Sequence, residues 1–446
     1  MSKLWEKGIA LDREVERFTS GEDARLDLHL AEFDILGSIA HVQMLTSIDL
    51  LTAADGAALT AELRSLLLLA RRGELEIEAG VEDIHSQVEL LLTRRLGEIG
   101  KRIHTARSRN DQVLVDLKMY MRAEIRAIAG QTADLARELL RLSVKHADKL
   151  LPGYTHLQVA MPSSFGLWFG AYAESLTEDL FALQAAWRQA NRNPLGSAAG
   201  YGSSIPVDRL LTTRLLGFEA ANVNVVHAQM TRGKTERSMA WALATIGATI
   251  ARMSADVCFY SCDNMRFIKL PPELSTGSSI MPHKHNPDVF ELLRAQGNRL
   301  QALPNEMALI CAGLTSGYHR DVQLLKEHLI PAIGMLRRCL RMMHAIVGRL
   351  EPRAGIMDAE LYDAAFTVEN VNRLVADGTP FRDAYRRVAD DVAAGSFTPN
   401  RDLRHTHLGS IGNPGTAMIG AMLEQELRRF EFERVDAALS ALAAAE

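Results

Sequence analysis

QVLVDLKMYMRAEIRAIAGQTADLARELLRLSVKHADKL, residues 112–150, holds no proline and a single glycine, Gly130. Its Leu135, Leu139 and Leu142 fall at i, i+4 and i+7, the spacing of one buried stripe along a helix. The same reading predicts helical runs over 162–191, 234–267, 287–314 and 322–350. Helices in compact domains average about 11–12 residues, so five runs of this length point to an extended bundle. Wide apolar stripes on such helices need cover on more than one side, which favours packing of several copies into one multi-helix core. The fold class read from this pattern is all-α.

Outside the long runs the punctuation is denser. Thr52, Gly56, Gly73 and Gly80 break up the beginning of the chain, and Gly378, Pro380, Gly395, Pro399, Gly409 and Pro414 break up the end. We therefore expect three domains: an N-terminal helical domain at 1–104, a central long-helix bundle carrying a catalytic loop at 105–351, and a small C-terminal helical domain at 352–446. Within the centre, turn-forming residues concentrate in LPGYTHLQVAMP from Leu151, NPLGSAAGYGSSIP from Asn193 and LPPELSTGSSIMPHKHNP from Leu270. Loops carry chemistry more often than helices do.

Composition bounds the function. The 446 residues are 47% apolar and 24% charged, enough for a large core. A net charge of -5 gives no reason to expect nucleic acid or an acidic membrane as partner. Cys258, Cys262, Cys311 and Cys339 are too few for a disulfide scaffold. Cys258 and Cys262 read as core positions on one helix face, and no group of His, Cys and carboxylates has the spacing of a metal site. The first residues lack an apolar signal region, and no stretch reaches about 18 uninterrupted apolar residues. These features predict a cytoplasmic protein without metal or cofactor.

TGSSIMPHKHNP, from Thr276 to Pro287, carries the chemistry. Gly277, Ser278 and Ser279 have little bulk and can expose backbone N–H groups to a ligand. Asn286 followed by Pro287 reads as an N-cap and first helical position, which would aim a positive helix end at Ser278 and Lys284. A cation and a helix N-terminus on one mobile loop suit an anion. Removing a proton beside a carboxylate puts a second negative charge on that carboxylate, and Lys284, Asn286 and the helix end are suitable donors for it. A serine hydroxyl is a poor base unless its alkoxide is stabilised and water is excluded.

The run from Gly277 to Asn286 resembles the signature of the fumarase, aspartase and argininosuccinate lyase superfamily. That resemblance implies proton removal next to a carboxylate, with Ser278 as base, and loss of a leaving group from the adjacent carbon. Further segments resemble argininosuccinate lyases in particular. HTARSRNDQVLVDL from His104 is similar to their HTGRSRNDQ run, with Ala106 where glycine is usual, and implies that Ser108, Arg109 and Asn110 bind substrate. Taken alone, Arg107 and Arg109 would read as interhelical ion pairs. GYTHLQ from Gly153 implies an acid or base role for His156 and a substrate contact for Thr155, with Glu291 as the carboxylate that orients the histidine. SGYHRDVQLLKE implies that Tyr318, Gln323 and Lys326 bind substrate, the last two from one helix face. The DIH stretch, Asp83 to His85, carries a supporting role, and the HTH at His405 reads as structural.

The resemblance runs from LWEKG at Leu4 to GTPFRDAY at Gly378, with His285 and Tyr385 as departures. An N-terminal serine contact has no direct counterpart; Ser20 and Asp23 lie near the place. The implied reaction is reversible cleavage of argininosuccinate to arginine and fumarate in a homotetramer whose sites draw on three subunits. Adenylosuccinate lyase, fumarase, aspartase and a catalytically silent homologue are the alternatives.

Overall fold

In the computed structural model, which describes residues 12–444, 65% of the chain is helix and 6% strand, an all-α fold. The LWEKG stretch at Leu4 lies outside the described residues. Five helices organise the molecule: α1 (Arg109–Lys145), α2 (Phe165–Ala190), α3 (Lys234–Tyr260), α4 (Asp288–Leu300) and α5 (Leu324–Val347). α1 lies along α2, α3 packs on both α2 and α4, and α5 closes on α1, α3 and α4. Leu135, Leu139 and Leu142 are buried in this core as the stripe predicts, in one cluster with Phe165, Phe169, Leu243, Ile250, Leu336 and Leu340.

α3 and α4 approach closely because both carry glycine at the crossing. A Cβ on Gly297 would sit 2.3 Å from the Gly247 carbonyl oxygen, so no larger residue fits without moving one helix. The segment Val225–Ser261, which contains α3, is long and apolar enough to cross a membrane. Its Leu243, Ile246, Gly247 and Ile250 are instead committed to neighbouring helices, as in a core helix.

Helices Ala31–Ser47, Ala53–Arg72 and Ile84–Leu96 form a second apolar cluster that also takes in Val115 and Met119 of α1, Phe218 and Leu442. Thr52 and Gly73 are the caps of Ala53–Arg72, Gly73 in the left-handed region at φ 70°. Gly56 is not a break. It lies inside that helix against Thr46, whose Oγ1 would be 2.3 Å from an added Cβ. A third, small cluster joins Val371, Ala384 and Val388 near the C-terminus.

Three expectations about the long runs fail at their ends. The last residue of the first run, Leu150, and the first three of the second, 162–164, belong with the loop between them to an antiparallel hairpin of Leu150–Thr155 and Gln158–Ser164. The run over 287–314 is two helices, α4 and Leu303–Ile310, because Pro304 starts a new helix and cannot continue an old one. The cap at Asn286 does not form: helix α4 begins at Asp288 with Pro287 at the cap position and no side-chain cap bond. Asn286 is held elsewhere, in a bridge where Thr276 and Asn286 exchange backbone hydrogen bonds of 3.1 and 2.8 Å.

Cys262 also departs from expectation, lying exposed beyond the end of α3, while Cys258 is half-buried within it. Ala106, in the turn before α1, has φ 60°, a conformation that costs an L-residue about 1–2 kcal/mol and that glycine adopts freely. Ala106→Gly is therefore expected to raise stability, by about 0.5–1 kcal/mol after glycine's larger unfolded-state entropy is set against the relief. Chemical denaturation midpoints of the two proteins measure it.

Candidate active site

The start of α1 is fixed by a reciprocal cap. Ser108 Oγ accepts from Asn110 N–H at 3.2 Å, and Asp111 Oδ1 accepts from Ser108 N–H at 2.9 Å. The other Asp111 oxygen accepts from Gly196 and Ala198 N–H, both at 2.9 Å, which ties the NPLGSAAGYGSSIP loop to the same point. Burial pushes the Asp111 carboxyl up to about 6 against these donors.

Just beyond this cap, Arg109 and Asn110 line a cleft of about 160 Å³ with Asp23, Asp27, Asp83, His85, Val113, Tyr318, Arg320, Gln323 and Lys326. Lys326 is buried, and its Nζ lies 2.6 Å from Asp27 and 2.8 Å from Asp23. Arg109 pairs with Asp83 and, at 3.1 Å, with Glu82. Arg320 reaches Glu82 at 3.3 Å and donates to the Thr19 carbonyl. Asp83 has a further duty: its Oδ1 caps Ile84–Leu96 by accepting from Ser86 N–H at 2.8 Å. The cleft thus sets carboxylates and cations side by side, an arrangement matched to a ligand that carries both charges.

Five of the residues expected to bind substrate, Arg109, Asn110, Tyr318, Gln323 and Lys326, meet in this cleft. Gln323 ends a 3₁₀ turn, Arg320–Gln323, and Lys326 lies in the first turn of α5, so the two share a wall of the cleft although only Lys326 is in the helix. Asp23 lines it and Ser20 does not. Ser108 serves as the cap of α1.

The loop lies apart from the cleft, none of whose lining residues it supplies. Ser278 Oγ accepts from Met281 N–H at 3.1 Å and from Ile280 N–H at 3.4 Å, so two backbone donors already point at the oxygen that would carry charge as a base. Asn286 Nδ2 donates to the Gly277 carbonyl and Thr276 Oγ1, both at 3.4 Å. Lys284 is exposed, and Glu291, in the first turn of α4, lies 3.9 Å from Arg294.

His156 stands at a third place. Thr155 pairs with Gln158, leaving His156 and Leu157 as a two-residue hairpin turn with φ 52° and 59°. Such turns favour Asn-Gly; two residues that adopt positive φ reluctantly store about 1 kcal/mol or more each. Thr155, His156 and Leu157 are all exposed, and His156 makes no hydrogen bond or ion pair among the described residues, the expected one to Glu291 included.

A lyase family model matches residues 9–301. Over 436 residues, covering 98% of both chains, the sequence is 54% identical to an argininosuccinate lyase of Phocaeicola vulgatus and 54% identical to that of Parabacteroides distasonis. The chain belongs to the argininosuccinate lyase family. Its fold is that of EDDS lyase solved in complex with formate, with a TM-score of 0.76 at 21% identity over 98% of this chain and 94% of that one.

For a member of the argininosuccinate lyase family, the sequence motifs leave out Asp27 and Arg320 of the cleft. Arg320 stands inside the quoted SGYHRDVQLLKE, where its charge was the available signal. Asp27 has no local signal, since its partner Lys326 is 299 residues away. Nor could chain spacing reveal that Asp34, His85 and Asp116 come together, their ligand-capable atoms all within 4.8 Å of one another.

Near Arg107, His41 is buried with Nε2 2.9 Å from the Thr105 carbonyl oxygen and Nδ1 unpartnered. Burial, with Arg107 nearby, pushes its pKa down to about 3. A histidine held neutral in this way contributes stability that is present above its unfolded pKa of about 6.5 and is lost as pH falls from there toward 3. Between pH 7 and 5.5 the protein is expected to lose stability, and His41→Gln to lose less over the same interval, by about 1 kcal/mol. Urea denaturation of both proteins at the two pH values checks this.

Proposed function

We propose that this chain cleaves argininosuccinate to arginine and fumarate, reversibly and without a cofactor. What carries the reading is the meeting of Arg109, Asn110, Tyr318, Gln323 and Lys326 in one mixed-charge cleft, in a chain 54% identical along 98% of its length to a curated argininosuccinate lyase. An amino-acid head group carries both an ammonium and a carboxylate, which Asp23, Asp27, Arg109 and Lys326 suit.

In the reaction, Ser278 takes the proton from the succinyl carbon beside the carboxylate. The electron pair left behind spreads onto that carboxylate, where Lys284 and Asn286 stabilise the second negative charge. The pair then forms the double bond of fumarate as the C–N bond breaks, and its electrons leave on the guanidino nitrogen. His156, oriented by Glu291 of another copy of the chain, keeps that nitrogen protonated. The exposed His156 turn and its separation from the cleft support a site assembled from several copies of the chain, and we take the assembly to be a homotetramer in the cytoplasm. The same reading divides the chain at 104/105 and 351/352.

Purified protein is offered argininosuccinate, adenylosuccinate and malate in separate reactions, with fumarate followed by ultraviolet absorbance. Fumarate from argininosuccinate alone is expected. Activity on another of the three with none on argininosuccinate would contradict the assignment.

A further inference from the structure

Behind the cleft, and without a part in the steps above, three ionisable side chains from three helices meet. Asp34 lies on Ala31–Ser47, His85 in the first turn of Ile84–Leu96 and Asp116 on α1, and all are buried, the two carboxylates completely. His85 Nδ1 is 2.5 Å from Asp34 Oδ2 and 3.5 Å from Asp116 Oδ2. Asp34 Oδ2 also accepts from Gln112 Nε2 at 2.7 Å. Neither oxygen of Asp116 accepts from an N–H or hydroxyl donor, and its carboxyl faces that of Asp34.

The two aspartates therefore have opposite circumstances. Asp34 has two donors and can stay ionised. Asp116 has none, is fully buried and stands beside a second carboxylate, so ionising it would leave an unsolvated charge against another of the same sign. Two carboxylates in such a site share a proton unequally. With Nδ1 committed to Asp34, the imidazole has Nε2 left, and His85 is the member of the group that lines the cleft.

We propose that Asp34, His85 and Asp116 act as one proton-sharing unit in which Asp116 is the neutral member and Asp34 the ionised one. Asp34 fixes the ring's orientation and favours the imidazolium, so that His85 presents Nε2–H as a donor at the wall of the cleft while Nδ1–H donates to Asp34. Asp34 is thus a positioning residue. The titratable groups around the ring are Asp34, Asp116 and Asp27, with Arg107 acting on both Asp34 and Asp116, and His104, which burial pushes down to about 4. Burial works against the imidazolium, but Asp34, by its charge and its hydrogen bond, and Asp27 help to hold the His85 pKa above its usual value. Burial and then Asp34 push the Asp116 carboxyl well above the carboxylate range.

The same three side chains could also be considered as ligands for a cation. The 2.5 Å contact between His85 and Asp34 is a hydrogen bond, closer than two atoms each about 2.0–2.1 Å from one tetrahedral ion would lie.

The effect on turnover rests on the proposed function; the unit itself does not, so its test has a readout of each kind. Full-length Asp116→Asn and Asp34→Asn are compared with the wild type by thermal melting from pH 6 to 9 and by the pH profile of kcat. A His85 pKa raised by folding gives stability that is full below about 6.5 and fades as pH rises through the folded value. Asp116→Asn, which keeps shape and neutrality, is expected to retain that pH slope and a kcat within about threefold of wild type. Asp34→Asn is expected to flatten the slope, lower kcat about tenfold or more and move the alkaline limb of the profile to lower pH. Wild-type protein inactive on argininosuccinate removes the kinetic arm and the functional reading, while the melting comparison still decides the unit. A flattened slope in Asp116→Asn equal to that in Asp34→Asn overturns the proposal. So does stoichiometric Co²⁺ or Zn²⁺ retained by wild type and lost in His85→Asn, which would make the cluster a metal site.

Discussion

Ser278→Ala is expected to lower kcat for fumarate release about a thousandfold or more, while argininosuccinate still binds and the melting temperature stays within a degree or two of wild type. The size of the effect follows from what the loop supplies. Backbone N–H groups of Met281 and Ile280 already point at Ser278 Oγ, and such donors help only if an oxygen is there to take charge. Stability is spared because the hydroxyl sits on a surface loop, bonded only to its own backbone. Stopped-flow turnover with a binding isotherm on the same variant separates the two effects. Wild-type turnover in Ser278→Ala would remove it as base.

Lys326→Met should have the largest effect on stability. The ammonium is almost wholly buried and neutralises Asp23 and Asp27, themselves buried, at 2.8 and 2.6 Å. Methionine fills the same volume and leaves two carboxylates without their partner. Breaking a buried pair in this way costs about 3–5 kcal/mol. The same change removes a cation from the cleft, so substrate affinity is expected to fall with it. Denaturation midpoints measure the first effect and KM the second; a loss below about 1 kcal/mol would show that water or backbone, and not Lys326, satisfies the two aspartates.

Periodicity made the bundle legible, because Leu135, Leu139 and Leu142 mark the buried side of α1 whatever lies opposite. It failed where backbone conformation is imposed from outside the local sequence. His156 and Leu157 occupy left-handed positions that favour Asn and Gly, so nothing in Tyr-Thr-His-Leu-Gln announces a two-residue turn. Asn286 has the residue type of a cap, yet its backbone is taken by Thr276, ten positions earlier. Pro304 was in plain view and marks the helix break that hydrophobic spacing alone runs through.

The cleft divides the same way. Arg109, Asn110, Tyr318, Gln323 and Lys326 stand in quotable motifs. Asp27 and the Asp34, His85 and Asp116 group acquire meaning only through partners brought in by folding, 299 residues away in the case of Asp27. Arg109 illustrates how both readings of a residue can hold. It forms the interhelical ion pair with Asp83 that its charge suggests, and it also lines the cleft.

In the proposed reaction the chemistry is shared among copies of the chain, with the Ser278 loop from one and the His156 turn from another. Two variants test this directly. His156→Asn keeps a residue at home in the left-handed turn, and Ser278→Ala keeps the loop; each homo-oligomer alone is expected to be inactive on argininosuccinate. Co-expressed or dissociated and reassembled together, they should regain measurable fumarate release, since some sites then combine an intact Ser278 with an intact His156. Mixed assemblies that form and remain as inactive as the two parents would contradict a shared site.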